Sequence, residues 1–117
     1  MGLRENWKRK PRNLPQKIMF WSYSHRPQDF VGRSAQVSKR RVDLVRVFLK
    51  SGERDIGYAG WADCRICGAR LGTCDMKADG YLWPQLAEHY IEEHGVWTPK
   101  MDALGRALEV VYYGRKR

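Results

Sequence analysis

The chain has 117 residues, and its 22 lysines and arginines outnumber its 13 aspartates and glutamates, which gives a formal net charge of +9. This length accommodates one domain with short terminal segments, and a hydrophobic content of 43% excludes a wholly disordered chain. No apolar run approaches the roughly 18 residues of a membrane-spanning helix, so we expect neither a transmembrane segment nor a membrane partner.

Residues 1–15 are basic and are not followed by the long apolar stretch of a secretory signal, so we expect no secretion. The chain has three cysteines, an odd number that is too small for a disulfide scaffold. Both features predict a cytoplasmic location, where thiols stay reduced and serve another purpose.

Positive charge is concentrated at the start of the chain. Residues 1–50 contain 13 lysines and arginines against three acids, whereas residues 51–117 contain nine against ten. Three of those nine form the terminal sequence Arg115-Lys116-Arg117. Such segregation is typical of a protein with a polyanionic partner, most often nucleic acid. The alternative interpretation is a solvated basic arm without a partner.

The chain divides into three predicted segments. Residues 1–16 contain two prolines and no hydrophobic periodicity, which predicts an extended basic arm. Residues 17–113 are predicted to form a single zinc-containing domain, and residues 114–117 a basic tip. At the start of the domain, the aromatic and branched residues of 17–23 indicate a short strand or a buried anchor.

The first predicted helix covers residues 38–50. Its apolar side chains recur at helical spacing, with Ser38 as a candidate cap and Gly52 as a candidate stop. A strand is the competing interpretation, because three of these residues are valines.

A strand and a hairpin are predicted next. Residues 55–61 have the composition of a short strand. Residues 68–83 predict a β-hairpin, because Asp79-Gly80 is a strong turn signal. The hairpin ends at Trp83, which we expect to pack against the helix that follows it. The alternative is that Trp83 is an exposed recognition residue.

Two more helices are predicted in the remainder of the chain. The first is expected to begin at Pro84 and to end at Gly95. The second is expected to begin at Thr98-Pro99 and to run to about Tyr113. Their predicted inward faces are Leu86, Tyr90 and Ile91 in the first helix, and Met101, Leu104, Leu108 and Val111 in the second.

The strongest chemical signal is a pair of cysteines two residues apart, Cys64 and Cys67, followed by Gly68. A tight turn between two such cysteines aims both thiolates at one ion, and the glycine permits the geometry of that turn. His89 and His94 supply a second pair of candidate ligands.

The two histidines are five residues apart, so an ideal helix would separate them by about 140°. They converge if the helix is distorted or if His94 lies at its end, which Gly95 favours. Paired histidines at this spacing occur in structural zinc sites. We therefore predict a Zn²⁺ ion held by Cys64, Cys67, His89 and His94. Four protein ligands leave no open position, so the ion is expected to be structural rather than catalytic.

Other interpretations of these residues remain open. The cysteines could form a redox pair, although no βαβ pattern supports a thioredoxin-like fold. His89 could be a core residue and His94 a cation at a helix end. Cys74, on the predicted hairpin, is an alternative metal ligand.

No enzymatic motif is evident. The spacing of His89 and His94 is one residue too long for the zinc-binding helix of a metalloprotease, and no glycine-rich phosphate loop is present. We therefore expect neither catalysis nor a small-molecule substrate.

One combination of motifs resembles a known group. It consists of Tyr58-Ala-Gly-Trp-Ala-Asp-Cys64-Arg-Ile-Cys67-Gly, Leu71-Gly72, Asp79-Gly80-Tyr-Leu-Trp83-Pro84, Leu86-x-x-His89-Tyr90 and His94-Gly95-Val96. This combination resembles small bacterial and bacteriophage proteins of zinc-ribbon or zinc-finger-like type, a group without an assigned function. The resemblance covers about a third of the chain and implies a zinc site and a compact fold.

The sequence thus predicts an α+β fold: a small domain stapled by zinc, with a Cys-x2-Cys knuckle, a β-hairpin, a ligand-bearing helix, flanking helices and basic terminal arms. The predicted function is non-enzymatic association with RNA or DNA through phosphate contacts, as a possible subunit of a larger nucleoprotein assembly. The residues predicted to contact phosphates are Lys8, Arg9, Lys10, Arg12, Lys39, Arg40, Arg41, Arg115, Lys116 and Arg117.

The alternative function is a protein-interaction module, such as a phage-encoded inhibitor or adaptor of a host complex. In that case the acidic residues in the second half of the chain would face a basic surface of a protein partner. These residues are Glu88, Glu92, Glu93, Asp102 and Glu109.

Overall fold

The computed structural model describes residues 16–18 and 26–114. Two sets of predictions lie outside these ranges. They are the phosphate contacts predicted in residues 1–15 and 115–117, and most of the strand or anchor predicted for residues 17–23. The predicted α+β class is confirmed, because helices pack against a mixed, largely antiparallel sheet. The strands are β1 (Gln16–Lys17), β2 (Glu53–Asp63), β3 (Arg70–Ala78) and β4 (Tyr81–Pro84), and the helices are α1 (Lys39–Lys50), α2 (Glu88–His94) and α3 (Pro99–Tyr113).

Within the described residues, the sheet has the strand order β1-β4-β3-β2. Strand β1 pairs with β4 in parallel, and the other pairs are antiparallel. Strands β3 and β4 form the predicted hairpin, whose turn residues Asp79 and Gly80 have φ angles of 49° and 84°. Positive φ at both positions is the geometry of a type I′ turn, which matches the twist of the two strands.

Capping residues define the two longer helices as predicted. The side chain of Ser38 accepts a hydrogen bond from the Arg41 amide at the start of α1, and that of Thr98 accepts one from the Met101 amide at the start of α3. Each cap satisfies an amide that has no partner within its helix. Short 3₁₀ turns at Pro27–Phe30 and Arg33–Gln36 lead into α1. No described helix has the length and apolarity needed to cross a bilayer.

The prediction that Pro84 begins a helix is wrong, because Pro84 is the last residue of β4 and α2 begins only at Glu88. The Gln85 amide bonds the Cys74 carbonyl on β3, so the nitrogen of Pro84 faces the opposite side of the strand. On that side β1 pairs only with Tyr81 and Leu82, so no ladder bond is lost at the proline.

Two predicted inward positions are also wrong. Leu86 lies in the turn before α2 and is 43% exposed, and Val111 is 73% exposed near the end of α3. The remaining predicted inward residues of both helices are buried: Tyr90, Ile91, Met101, Leu104 and Leu108.

The core lies between the sheet and the helices, and Trp83 is its largest fully buried side chain. Its ring centroid is 5.2 Å from that of Phe48, and its indole N–H donates to the carbonyl of Leu49. Trp83 therefore packs against α1, and it shares one hydrophobic core with Tyr90 and Ile91 of α2. Helix α3 approaches α1 closely at Gly105, where a Cβ atom would meet the side chains of Arg41 and Val45.

Helices α1 and α3 are also joined by charge. Arg41 on α1 is bonded to Asp102 at 3.0 Å and to Glu109 at 3.1 Å. Asp102 also accepts hydrogen bonds from Arg106 at 2.8 Å and from the indole N–H of Trp97 at 3.1 Å. The bonds from Arg106, then from Trp97 and Arg41, lower the pKa of Asp102 from 3.8 to about 2.

We expect Asp102→Asn to lower the free energy of unfolding at pH 7 by about 1–2 kcal/mol. The folded-state pKa lies below the ordinary value, so this stability is fully present above about pH 4 and is lost as the pH falls toward about 2. Urea denaturation of the unaltered protein and of Asp102→Asn should therefore show different free energies of unfolding at pH 7. This difference should narrow below about pH 4.

Asp29→Asn is the matched control. Asp29 pairs only with Arg26 among the described residues, at 3.4 Å, and both side chains are more than half exposed. An exposed pair contributes about 0–1 kcal/mol. An equal loss of stability in both variants would contradict the role given to Asp102.

Candidate metal centre

The two cysteines lie on a tight turn between β2 and β3. The Gly68 amide donates to the Cys64 carbonyl at 2.9 Å, and the Cys64 amide donates to the Ala69 carbonyl at 2.8 Å. Gly68 has a φ of 79°, in the left-handed region where a side chain would be strained. The turn also directs the Ile66 amide at the sulfur of Cys64, at 3.4 Å. The thiolate form of cysteine is the form that binds metal.

Two further bonds fix the tip of this turn. The Arg65 amide donates to the hydroxyl of Tyr90 on α2, and the Gln28 side-chain amide donates to the Arg65 carbonyl. Tyr90 is buried, and its desolvation raises the pKa of its hydroxyl, so the group remains neutral at pH 7. The turn is therefore held against α2, the helix that carries the histidines.

The two histidines converge although they are five residues apart. Helix α2 has only seven residues, with His89 in its first turn and His94 at its end. The first turn carries i→i−3 bonds, from His89 to Leu86 and from Tyr90 to Ala87. At the other end Gly95 is left-handed, with a φ of 63°. These two departures from ideal winding allow both rings to face the cysteine turn, with their centroids 5.2 Å apart.

The predicted ligands form one cluster. Their nearest ligand atoms all lie within 4.8 Å of one another. The sulfur of Cys64 is 3.5 Å from Nε2 of His94, and the sulfur of Cys67 is 3.4 Å from Nε2 of His89. Zn–S bonds of about 2.3 Å and Zn–N bonds of about 2.0 Å at tetrahedral angles would separate sulfur from nitrogen by about 3.5 Å. These two sulfur–nitrogen distances match a tetrahedral site, and the four side chains together form a plausible metal site.

The cluster is shielded on one side only. Cys64 is buried, His89 and His94 are partly buried, and Cys67 is exposed. The cluster thus lies at the edge of the hydrophobic core, to which Cys64, Tyr90 and Ile91 belong. Metal binding at this position would join the start of the hairpin to α2.

Cys74, the alternative ligand, is not a member of the metal-ligating groups found among the described residues. It is buried on β3, and its sulfur lies 3.4 Å from Oε1 of Gln85. The same oxygen accepts a bond from the Thr73 amide. Cys74 thus belongs to the contact between β3 and the turn after β4.

Sequence reasoning missed the role of the acidic residues. Glu88, expected on the surface, is buried, and its Oε1 has no hydrogen-bond partner within the described residues. Burial raises the pKa of this carboxyl group. Glu92 pairs with Arg46 and Lys50 of α1. Asp102 and Glu109 are paired as well, so four of the five acids expected to face a partner are buried or paired within the protein. These internal contacts depend on the packing of α1 against α2 and α3, which the sequence does not show.

Three of the predicted phosphate contacts lie in the described part of the chain, in the first turn of α1. Lys39 pairs with Asp43 at 2.7 Å, and its side chain is 87% exposed. Arg40 lies over the ring of Tyr113, with its guanidinium carbon 4.0 Å from the ring centroid. Arg41 is bonded to the two carboxylates of α3 described above. The seven other predicted contacts lie in residues 1–15 and 115–117.

Comparison with protein-family models, with curated proteins and with solved structures finds no match to this chain.

Proposed function

We propose that Cys64, Cys67, His89 and His94 bind one structural zinc ion, and that the domain it stabilises associates with nucleic acid mainly through phosphate contacts. The observation that carries the metal assignment is the convergence of four ligand atoms within 4.8 Å. Two sulfurs and two imidazole nitrogens are a donor set that suits tetrahedral zinc. All four positions are filled by protein, so we assign the ion no catalytic role and the protein no enzymatic activity.

Charge distribution supports the nucleic-acid part of the proposal. Residues 26–114 carry 13 lysines and arginines against 12 acids and are therefore nearly neutral. Residues 1–25 carry six against one, and residues 115–117 carry three against none. The positive excess thus belongs to the two terminal segments, which is typical of basic arms that bind polyanions. Arms of this kind also suit a subunit of a larger nucleoprotein assembly.

Ion pairing within the domain favours the same division of roles. Arg41, Arg46 and Lys50 each bind carboxylates of α2 or α3. These cations join the helices, and contact with phosphate would require breaking those pairs. We therefore assign most phosphate contacts to Lys8, Arg9, Lys10 and Arg12 and to Arg115, Lys116 and Arg117.

The test is the salt dependence of binding to labelled single- and double-stranded oligonucleotides, measured by fluorescence anisotropy between about 50 and 300 mM salt. We expect affinity to fall steeply as salt rises, because phosphate contacts release counterions. Replacing Lys8, Arg9, Lys10 and Arg12 together by glutamine should flatten the log–log slope by about 3, because each neutralised phosphate contributes roughly 0.7–0.9 to that slope.

Replacing Arg33 and Arg54 by glutamine provides the control, because these residues are exposed cations of the described domain. The control should change the slope less for each charge removed. Absence of binding at the lowest salt would contradict the nucleic-acid proposal, and an unchanged slope in the fourfold variant would remove the amino-terminal arm from the contact.

A second candidate function, protein interaction, is favoured by an apolar surface near the end of α3. Val110, Val111 and Tyr112 are each more than half exposed, as is Val47 on α1. Beside them a groove of about 560 Å³ runs between α1 and α3. Exposed apolar clusters of this kind mark contact surfaces. Binding through this surface would depend much less on salt than phosphate binding does.

A further inference from the structure

The edge strand β2 carries an exposed tryptophan on a pronounced bulge. Gly57 of β2 is opposite Cys74 of β3, and Ala62 is opposite Gly72. Four residues of β2, 58–61, therefore face the single residue Thr73, and the strand bends away from its partner. Trp61 lies on this bulge and is 57% exposed.

This exposure distinguishes Trp61 from the other described tryptophans. Trp83 is completely buried and Trp97 is 5% exposed, and the indole N–H of each has a protein acceptor. A tryptophan that only stabilises a fold is expected to be buried in this way. Trp61 instead presents most of its indole to solvent, a few residues before the cysteine turn.

A cation lies against this indole. The guanidinium carbon of Arg70, on β3, is 5.1 Å from the ring centroid of Trp61, within the range of a cation–π contact. Arg70 forms no ion pair with any carboxylate in the described residues, although Asp63 is its partner in the strand ladder. Its charge is therefore available to an anion. The preceding residue, Gly60, also faces open space, because a Cβ atom there would meet nothing within 4 Å outside its chain neighbours.

We propose that Trp61 and Arg70 form a binding site for single-stranded nucleic acid, in which one base stacks on the indole and an adjacent phosphate contacts the guanidinium. Exposed aromatic side chains beside cations bind single strands in this manner, with little dependence on sequence. A duplex keeps its bases stacked on one another and offers no free face, so the site selects single strands. This inference rests on the proposed function. It adds a preference for single strands and identifies the two residues responsible for that preference.

The aromatic surface at the end of α3 fits this role less well. Arg40 lies over Tyr113, but its guanidinium is also 3.9 Å from the carboxylate of Glu109. A phosphate at that position would meet a neighbouring negative charge. Beside Trp61, no carboxylate of the described residues pairs with the guanidinium. The indole can therefore stack on a base while the guanidinium contacts a phosphate.

The test compares variants of the zinc-loaded full-length protein for binding to a labelled 12-nucleotide oligo(dT) and to a 12-base-pair duplex. Trp61→Ala should weaken binding of oligo(dT) by about 5- to 150-fold, the range measured for loss of one stacked base, and should change duplex binding little. Trp61→Phe should retain part of the affinity, and Arg70→Gln should both weaken binding and flatten its salt dependence.

Tyr112→Ala is the matched control, because Tyr112 is an exposed aromatic residue of α3, 67% exposed, and lies outside the proposed site. It should bind oligo(dT) as the unaltered protein does. Stacking also quenches indole emission. Oligo(dT) should therefore reduce the tryptophan fluorescence of the unaltered protein more than that of Trp61→Phe. Equal urea midpoints would show that the variants are folded.

The outcomes separate the two proposals. If the unaltered protein binds neither oligonucleotide, the proposed function fails and this site fails with it. If it binds oligo(dT) but Trp61→Ala binds equally well, the site is overturned while the proposed function stands, and Trp61 becomes a candidate protein contact. Equal losses on oligo(dT) and duplex would also overturn it, because a stacking site does not weaken duplex binding.

Discussion

Replacing Cys67 by serine is expected to abolish zinc binding at neutral pH and to unfold the cysteine turn together with helix α2. Zinc binding contributes about 10–16 kcal/mol to small zinc modules, which equals or exceeds the whole stability of a typical domain of about 5–15 kcal/mol. The site adjoins the hydrophobic core, because Cys64, Tyr90 and Ile91 are buried in that core. Loss of the ion should therefore spread beyond the site.

Cys67 suits this test because it is exposed. Its replacement by serine removes a ligand without opening a cavity, so a large effect would report the metal and not the packing. The measurements are zinc content, near-ultraviolet circular dichroism and the urea midpoint, with chelation of the unaltered protein as a parallel experiment.

Cys74→Ser is the matched control. A serine hydroxyl can donate to Oε1 of Gln85 as the thiol does, so we expect a loss of about 1 kcal/mol and no loss of zinc. A Cys67→Ser protein with the zinc content and urea midpoint of the original would contradict the metal assignment. Loss of zinc in Cys74→Ser alone would move the site to the other thiol.

Replacing Trp83 by alanine is expected to lower the free energy of unfolding by about 3–5 kcal/mol. The side chain is fully buried against Phe48 and donates its indole N–H to Leu49 of α1. Its surroundings leave no spare space, since a Cβ on Gly52 would come within 2.5 Å of the indole. Alanine would leave a large cavity between the sheet and α1, which urea denaturation at constant zinc concentration would detect.

Two other variants divide this effect into its parts. Trp83→Phe keeps most of the apolar volume but leaves the Leu49 carbonyl without its donor, so an intermediate loss is expected. Trp61→Ala removes a tryptophan that is 57% exposed and should change stability by less than about 0.5 kcal/mol. Equal losses for Trp61 and Trp83 would contradict the assignment of Trp83 to the core.

The features that the sequence predicts best are those encoded by neighbouring residues. Ser38 and Thr98 cap their helices through side-chain oxygens, and Asp79-Gly80 supplies the positive φ angles of the hairpin turn. The candidate metal ligands belong to the same class. Two cysteines on one turn and two histidines on one short helix need only a single long-range contact, between turn and helix, to become a site.

The features that sequence reasoning missed depend on contacts between distant segments. Pro84 has the local pattern of a helix start, but its backbone is held in β4 by pairing with β3. Val111 continues the apolar spacing of α3 but is 73% exposed, because spacing alone does not show which part of a helix its neighbours cover. Likewise, the sequence suggests that Glu88 and Asp102 are surface acids. Helix packing instead buries Glu88 and places Asp102 against a cation.

The bulge on β2 shows the same limit. Residues 55–61 were expected to form a plain short strand, whereas the strand extends from Glu53 to Asp63 and slips its register between Gly57 and Ala62. The slip is a property of the pair of strands, because it arises from the mismatch in length between β2 and β3. Trp61 lies on this irregular part of β2, exposed and beside Arg70.

The most direct test of the central claim, one tetrahedral zinc held by Cys64, Cys67, His89 and His94, is X-ray absorption at the zinc edge combined with native mass spectrometry of the full-length protein. We predict one zinc per chain, with two sulfur neighbours at about 2.3 Å and two nitrogen neighbours at about 2.0 Å. A chain that folds without metal, or a zinc ion with a third sulfur neighbour, would contradict it.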